Sequence, residues 1–168
     1  MEHAKEQGIE VTRDSEKDYR LTFVEDGTPV GGEVADTITV TFSYGGSRKD
    51  STMVYDAELG KYVYHQYGKM MTDGLTNAPE AFENVIIMFT SISMNGPFHV
   101  ADFVAGGEGY YACGGKIIPI TWTCSGDKEP FRFFTESGEP LAFGAGNTYI
   151  AVAPLDSPVV YGAVEAAE

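Results

Sequence analysis

The stretch that most constrains this chain is GGEGYYACGGKIIPITW, residues 106–122. Apolar and aromatic runs flank Gly114-Gly115, a strong short-range signal for a two-residue β-hairpin turn. Both positions of such a turn need positive φ, which glycine reaches without a Cβ penalty. A two-residue loop fixes the register: Cys113 faces Lys116, Tyr111 faces Ile118, Gly109 faces Ile120 and Gly107 faces Trp122. Strand side chains alternate, so these positions share one face. A tryptophan opposite a glycine fills the space the glycine leaves, which places Trp122 over Gly107 on the core side. Pro119 has no N–H to give a ladder, so its strand is expected at a sheet edge or bulged there. Gly107, Gly109 and Ala112 also fit the dinucleotide pattern G-x-G-x-x-A, but that pattern needs a helix after it, and here a turn and a strand follow.

The remaining patterning is also β. Residues 37–43, TITVTFS, alternate cleanly, with Ile38, Val40 and Phe42 on one face and threonines on the other. Residues 85–89, VIIMF, are continuously apolar, as in a strand buried on both faces. Further strands are read over 19–24, 52–55, 61–67, 131–134, 141–143 and 148–152, with turns at Asp26-Gly27, Gly31-Gly32, Gly45-Gly46, Asn95-Gly96-Pro97, Ser137-Gly138 and 144–147. One helical turn is expected over 79–83, with Pro79 at its start. The fold class that follows is mostly β: a single antiparallel sandwich or partly closed barrel of about nine to eleven short strands with one or two short helical turns. Residues 1–18 read as the end of a preceding segment, 19–161 as the β domain and 162–168 as a disordered acidic tail.

Charge and cysteines narrow the function classes. A net charge of −14 makes nucleic acid and anionic membrane surfaces poor partners. No apolar run of about 18 residues occurs, so no membrane-spanning helix is expected. No signal peptide is visible at Met1, which taken alone predicts a cytoplasmic chain. Cys113 and Cys124 lie on opposite strands of the hairpin, some eight residues apart along it, or about 26 Å. That separation forbids a disulfide, which needs Cα atoms within about 7 Å. Cys113, beside the turn, is expected to be partly exposed.

Candidate chemistry is sparse. No C-x-x-C, H-x-x-x-H or EF-hand pattern occurs, so neither a metal nor a cofactor is expected. There is no G-x-S-x-G, and Ser91 and Ser93 have no base that sequence can place beside them. His65 with Asp73 is a conceivable acid–base pair. The blander roles are Asp73 accepting backbone N–H groups in its own loop and Asn84 capping a strand. His99 and Asp102, three apart on a strand, point to opposite faces. The tyrosines are the remaining signal. Tyr62, Tyr64 and Tyr67 on residues 61–67, with Tyr110 and Tyr111 in the hairpin, offer a stacking surface for a sugar or peptide. The candidate ligand-binding set is therefore Tyr62, Tyr64, His65, Asp73, Asn84, Tyr110 and Tyr111.

Taken in order, YDAELGKYVYHQYGKMMTDG, NVIIMF, GGEGYYACGGKIIPITW and FRFFTESGEPLAFGAGNTYIAVAP resemble the C-terminal domain of the YerB-like lipoproteins. The resemblance runs over about 19–161. Asp73 and Asn84 fall where the family's motif has the same residue types. Tyr64 stands where the family often has arginine, Thr123 and Cys124 replace basic residues after the tryptophan, and Tyr149 replaces a second tryptophan. The family is bacterial and of the cell envelope, and its biochemical function is not established. The resemblance implies an extracytoplasmic, non-catalytic binding module whose lipid-anchored N-terminus and larger α/β domain lie outside this chain. An envelope component or a protein is the partner it implies. An accessory domain of an envelope enzyme and a hydrolase using His65 and Asp73 are the alternatives, and oligomeric state is left open.

Overall fold

A computed structural model describes residues 20–44, 46–126 and 129–164. The expected leading segment, and residues 165–168 of the expected tail, lie outside the described residues. In chain order the strands are β1 (Thr22–Val24), β2 (Glu33–Val34), β3 (Thr37–Tyr44), β4 (Ser47–Asp56), β5 (Lys61–Gln66), β6 (Lys69–Met70), β7 (Ala81–Phe82) and β8 (Asn84–Thr90). They continue as β9 (Ile92–Asn95), β10 (Phe98–Ala101), β11 (Gly107–Cys113), β12 (Lys116–Thr123), β13 (Arg132–Thr135), β14 (Ala142–Gly144), β15 (Thr148–Pro154) and β16 (Val159–Gly162).

Two sheets carry the architecture. The central one has the order β13-β12-β11-β8-β15, with β2 also on β12; the second runs β16-β3-β4-β5-β6, with β7 on β5. The expected hairpin register is present residue for residue, from Cys113↔Lys116 to Gly107↔Trp122. Its turn glycines have φ of 58° and 72°. Alternation along these strands builds two cores on the two faces of the central sheet. Val85, Ile87, Ala112, Ile117, Ala151 and Ala153 pack with Ile38, Val40, Met53, Tyr62 and Tyr64 of the second sheet. Ile86, Met88, Tyr111, Cys113, Ile120 and Trp122 pack on the opposite side with Cys124, Phe133, Leu141 and Phe143. Burial of β8 on both faces explains why its sequence is an unbroken apolar run.

The architecture is a sandwich-like all-β fold without a closed barrel. It departs from expectation in four places. First, no helix occurs among the described residues. The backbone at 79–83 is claimed by neighbouring strands: Glu80 N–H donates to Met71 O at 2.9 Å, Tyr64 N–H donates to Glu80 O at 2.8 Å, and Ala81–Phe82 pairs with β5. Groups satisfied across a sheet are not available for helical bonds. Second, several strands are only two to four residues long, too short to show a period, so the strand count exceeds the expected range. Third, β15 runs parallel to β8, and β1 parallel to β14. Fourth, Cys113 is 3% exposed, because Gly144 and the 24–31 loop cover the turn end of the hairpin. Both cysteines are free.

Pro119 sits in an interior strand, yet its missing N–H does no harm. β2 pairs with Lys116 and Ile117 on that side of β12, and β13 pairs with residues from Ile120 to Thr123. The proline falls in the gap between the two partners.

Candidate functional site

The sequence-selected residues divide by burial. Tyr62 and Tyr64 have their rings inside the inter-sheet core, at 0% and 6% exposure. The Tyr62 hydroxyl donates to Ala35 O at 3.0 Å, and the Tyr64 hydroxyl lies 3.2 Å from Ser51 Oγ and 3.2 Å from Gln66 Oε1. Tyr149 packs on Tyr64 at 5.2 Å between ring centroids, and burial pushes its phenol up to about 12. On the opposite face of the central sheet, Asn84 is fully buried and Tyr111 nearly so. Asn84 Oδ1 accepts from the Tyr111 hydroxyl at 2.9 Å and from Gly144 N–H at 2.8 Å; Asn84 Nδ2 donates to Gly144 O at 2.9 Å. These four side chains have their polar atoms satisfied inside the protein, so they have no area to offer a ligand at the surface.

The other three are separate. Tyr110 is half-buried between Phe89 and Tyr161, at 6.0 and 5.7 Å. His65 is half-buried, with Nδ1 3.3 Å from the carbonyl of Val63 on its own strand. Asp73 is exposed and caps its own loop, its Oδ1 accepting from Leu75 N–H at 3.0 Å, Thr76 N–H at 2.8 Å and the Thr76 hydroxyl at 2.9 Å. Among the described residues no hydrogen bond joins His65 to Asp73. The Thr76 and Leu75 donors hold the Asp73 carboxyl below its usual range. A depressed folded-state value contributes stability that is present above the unfolded value of about 3.9 and lost as pH falls through the folded one. Asp73→Ala is therefore expected to lower Tm by a few degrees at neutral pH, and by less below pH ~3, in a calorimetric pH series. Asp73→Asn, which keeps one acceptor oxygen, should lose less.

Sequence reasoning missed the surface best suited to a partner. β9 and β10 form a ribbon belonging to neither main sheet, paired from Phe98↔Asn95 to Ala101↔Ile92. Its base is tied down by Asp102 N–H donating to Ser91 O at 2.9 Å and by the Thr90 hydroxyl donating to Asp102 O. Large apolar residues are exposed on the ribbon: Phe98 at 71% and Val100 at 45% on one face, with Val104 beyond at 63%, and Met94 at 54% on the other face. Between this arm and Cys124, Gly126, Glu129 and Phe131 lies a cleft of about 630 Å³, lined mainly by Val100, Phe103, Val104, Cys124 and Phe131 with Ser93, Asp102 and Glu129 as its polar members. Below it, Phe103 and Phe131 pack edge-on against Trp122 at 6.3 and 6.1 Å. The Asp102 carboxylate at the rim is occupied by Val104 and Ala105 N–H at 3.1 and 3.2 Å. The available sequence signal was an Asn-Gly turn between Ile92/Met94 and Phe98/Val100. Among the described residues no cluster of three or more His, Cys, Asp or Glu is placed to hold a metal ion.

Comparison with known proteins settles what kind of domain this is. The model of a family described as the C-terminal domain of a protein of unknown function, DUF3048, matches residues 38–150, more than half the chain. The chain belongs to this family. The match opens in β3 and closes in β15, so it takes in most strands of both sheets and leaves β2 and β16 outside it. The crystal structure of YerB from Bacillus subtilis superposes on 95% of this chain with a TM-score of 0.73 at 21% identity, a likeness of fold. The chain spans about half the length of that protein, 52%. No curated protein matches it. No helix among the described residues is long and apolar enough to cross a membrane.

Proposed function

We propose that this DUF3048 C-terminal domain is a non-catalytic interaction module of a bacterial envelope lipoprotein, working outside the cytoplasm, and that the β9–β10 arm and its cleft take an apolar element of an envelope partner. The observation that carries the reading is the exposure of Phe98, Val100 and Val104 at one cleft: Val100 and Val104 line it, and Phe98 shares the Val100 face of the ribbon. Contiguous exposed apolar surface of this kind marks interaction sites on soluble domains, and an aromatic anchor beside a pocket is the usual energetic centre of an interface. The envelope setting rests on the sequence resemblance to the YerB-like lipoproteins.

The test is a binding screen read in two ways. Peptidoglycan fragments, teichoic acid pieces, simple sugars, divalent cations and short apolar peptides are tried by thermal shift, with fluorescence of the single tryptophan followed in parallel. Occupation of the cleft above Phe103 and Phe131 should alter Trp122 emission. A ligand at 100 times its Kd adds about 2.7 kcal/mol of stability, a readily measured shift. Phe98→Ser with Val104→Ser should abolish the response while moving the free protein's stability by less than about 1 kcal/mol, since both residues are exposed. Undiminished response in the double variant would defeat the assignment of the arm.

A further inference from the structure

We propose that the free edge of β15 docks an extended polypeptide segment of a partner protein, flanked by lysine or arginine, which adds as the next strand of the central sheet. The surface is separate from the arm and rests on a different observation.

β15 ends the order β13-β12-β11-β8-β15 and pairs with β8 alone. Asn84 N–H donates to Asn147 O at 3.1 Å, which sets the phase of the parallel ladder. In that phase Tyr149, Ala151 and Ala153 turn their N–H and C=O groups toward β8, and Thr148, Ile150 and Val152 turn theirs outward. Among the described residues those outward groups have no backbone partner. Ile150, at the middle of the edge, is 48% exposed.

The other sheet ends are managed. At β13 the chain returns, with Thr135 N–H donating to Glu139 O and Leu141 N–H to Phe133 O, both at 2.9 Å. β6 has two residues, and β16 has four. β15 has seven, TYIAVAP, with no charged residue and its proline only at the last position. A long, uncharged, open edge is what soluble proteins avoid unless something pairs with it. Unpaired main-chain groups in a row recognise another extended main chain, with side-chain positions supplying selectivity.

Charge selects the occupant. No lysine or arginine occurs after Arg132, and the chain as a whole carries −14. The Glu83 side chain lies against Gly146 at the start of the edge, and Asp156 follows Pro154 at its end. The seven-residue edge spans about 23 Å, so basic groups at the two ends of a segment of about nine residues fall beside these carboxylates. Two copies of so acidic a chain repel each other, which disfavours β15 pairing with itself.

The test uses the whole chain and a fluorescein-labelled peptide of about nine residues, alternating valine and threonine with lysine at each end. Saturable binding is expected, with slowed hydrogen exchange at the Ile150 and Val152 amides. Methylating alternate backbone nitrogens of the peptide should weaken it at least tenfold, because main-chain bonds carry the contact. Ile150→Pro removes an outward N–H that β8 does not use, and should weaken binding to the same extent. Ile150→Lys keeps the backbone intact and opposes the peptide by charge, so it decides the matter if the proline variant does not fold. Phe98→Ser should leave peptide binding unchanged, which separates this proposal from the role of the arm. Absence of binding, or binding indifferent to methylation and to both Ile150 variants, would overturn the proposal. So would a concentration-dependent dimer in ultracentrifugation that Ile150→Lys abolishes, since a second copy would then hold the edge.

Discussion

Trp122→Ala is expected to lower the unfolding free energy by about 3–5 kcal/mol, the usual cost of truncating a large buried aromatic. The ring is 1% exposed and packs against Phe103 and Phe131, which also touch each other at 5.2 Å between centroids, with Gly107 opposite it across the hairpin. A Cβ on Gly107 would stand 2.6 Å from Phe89 O and 3.1 Å from Trp122 Nε1, so the glycine makes room for both the β8 backbone and the indole. Nε1 donates to Glu108 O at 3.1 Å, a carbonyl left short of a partner when the indole goes. Against a typical total of 5–15 kcal/mol, the loss is large enough to move a urea midpoint and to lower Tm by roughly 10 °C. Trp122→Phe should recover part of it, since most of the ring volume is restored and only the Glu108 bond is lost. A near-neutral alanine variant would show that Trp122 contributes little to the packing beneath the cleft.

The second large effect is expected at Asn84. Its amide joins three segments: Tyr111 on β11, Gly144 on β14, and Asn147 and Thr148 at the start of β15, with Nδ2 at 3.4 Å from Asn147 O and 3.3 Å from Thr148 Oγ1. The Tyr111 hydroxyl stands 3.0 Å from Gly27 O as well as 2.9 Å from Asn84 Oδ1, and its single proton serves one of them at a time. Asn84→Ala leaves Gly144 O without its Nδ2 donor in a closed site, while the Tyr111 hydroxyl can donate to Gly27 O and Gly144 N–H to the Tyr111 oxygen at 3.2 Å. At about 1–3 kcal/mol for an orphaned buried group, with the Nδ2 contacts to Asn147 O and Thr148 Oγ1 also lost, the expected loss is about 2–3 kcal/mol by denaturant unfolding. Tyr111→Phe alone should cost less, because Gly144 N–H keeps Asn84 Oδ1. The two substitutions should be non-additive by about 1 kcal/mol in a double-mutant cycle, since they share one network. Strict additivity would mean that Asn84 and Tyr111 stabilise the fold independently.

Both residues drew notice in the sequence for reasons that the tertiary structure reassigns. Tyr111 and Asn84 are uncommon polar groups within apolar strands, a pattern that suits a binding site and a buried hydrogen-bond hub equally well. What separates the two is whether another segment covers the site, and here the covering segments, 24–31 and 141–148, come from opposite ends of the domain. Asp73 was legible as a loop cap because the donors it accepts from lie within three residues of it. The turn at Asn95-Gly96-Pro97 was read, but the strands β9 and β10 on either side of it were not, because four-residue strands carry too little periodicity to be told from coil.

The sequence by itself determined the hairpin and its register, since a Gly-Gly turn and period-two alternation are local rules that admit one pairing without slippage. It determined that β8 is buried on both sides, since continuous apolar character has no other use in so short a strand. Only the tertiary structure decided that β15 returns parallel to β8, that residues 79–83 complete a sheet instead of a helical turn, and that one edge and one arm stay uncovered among the described residues. These features depend on which distant segment satisfies a given backbone group, and no local pattern along a strand records its neighbour across the sheet.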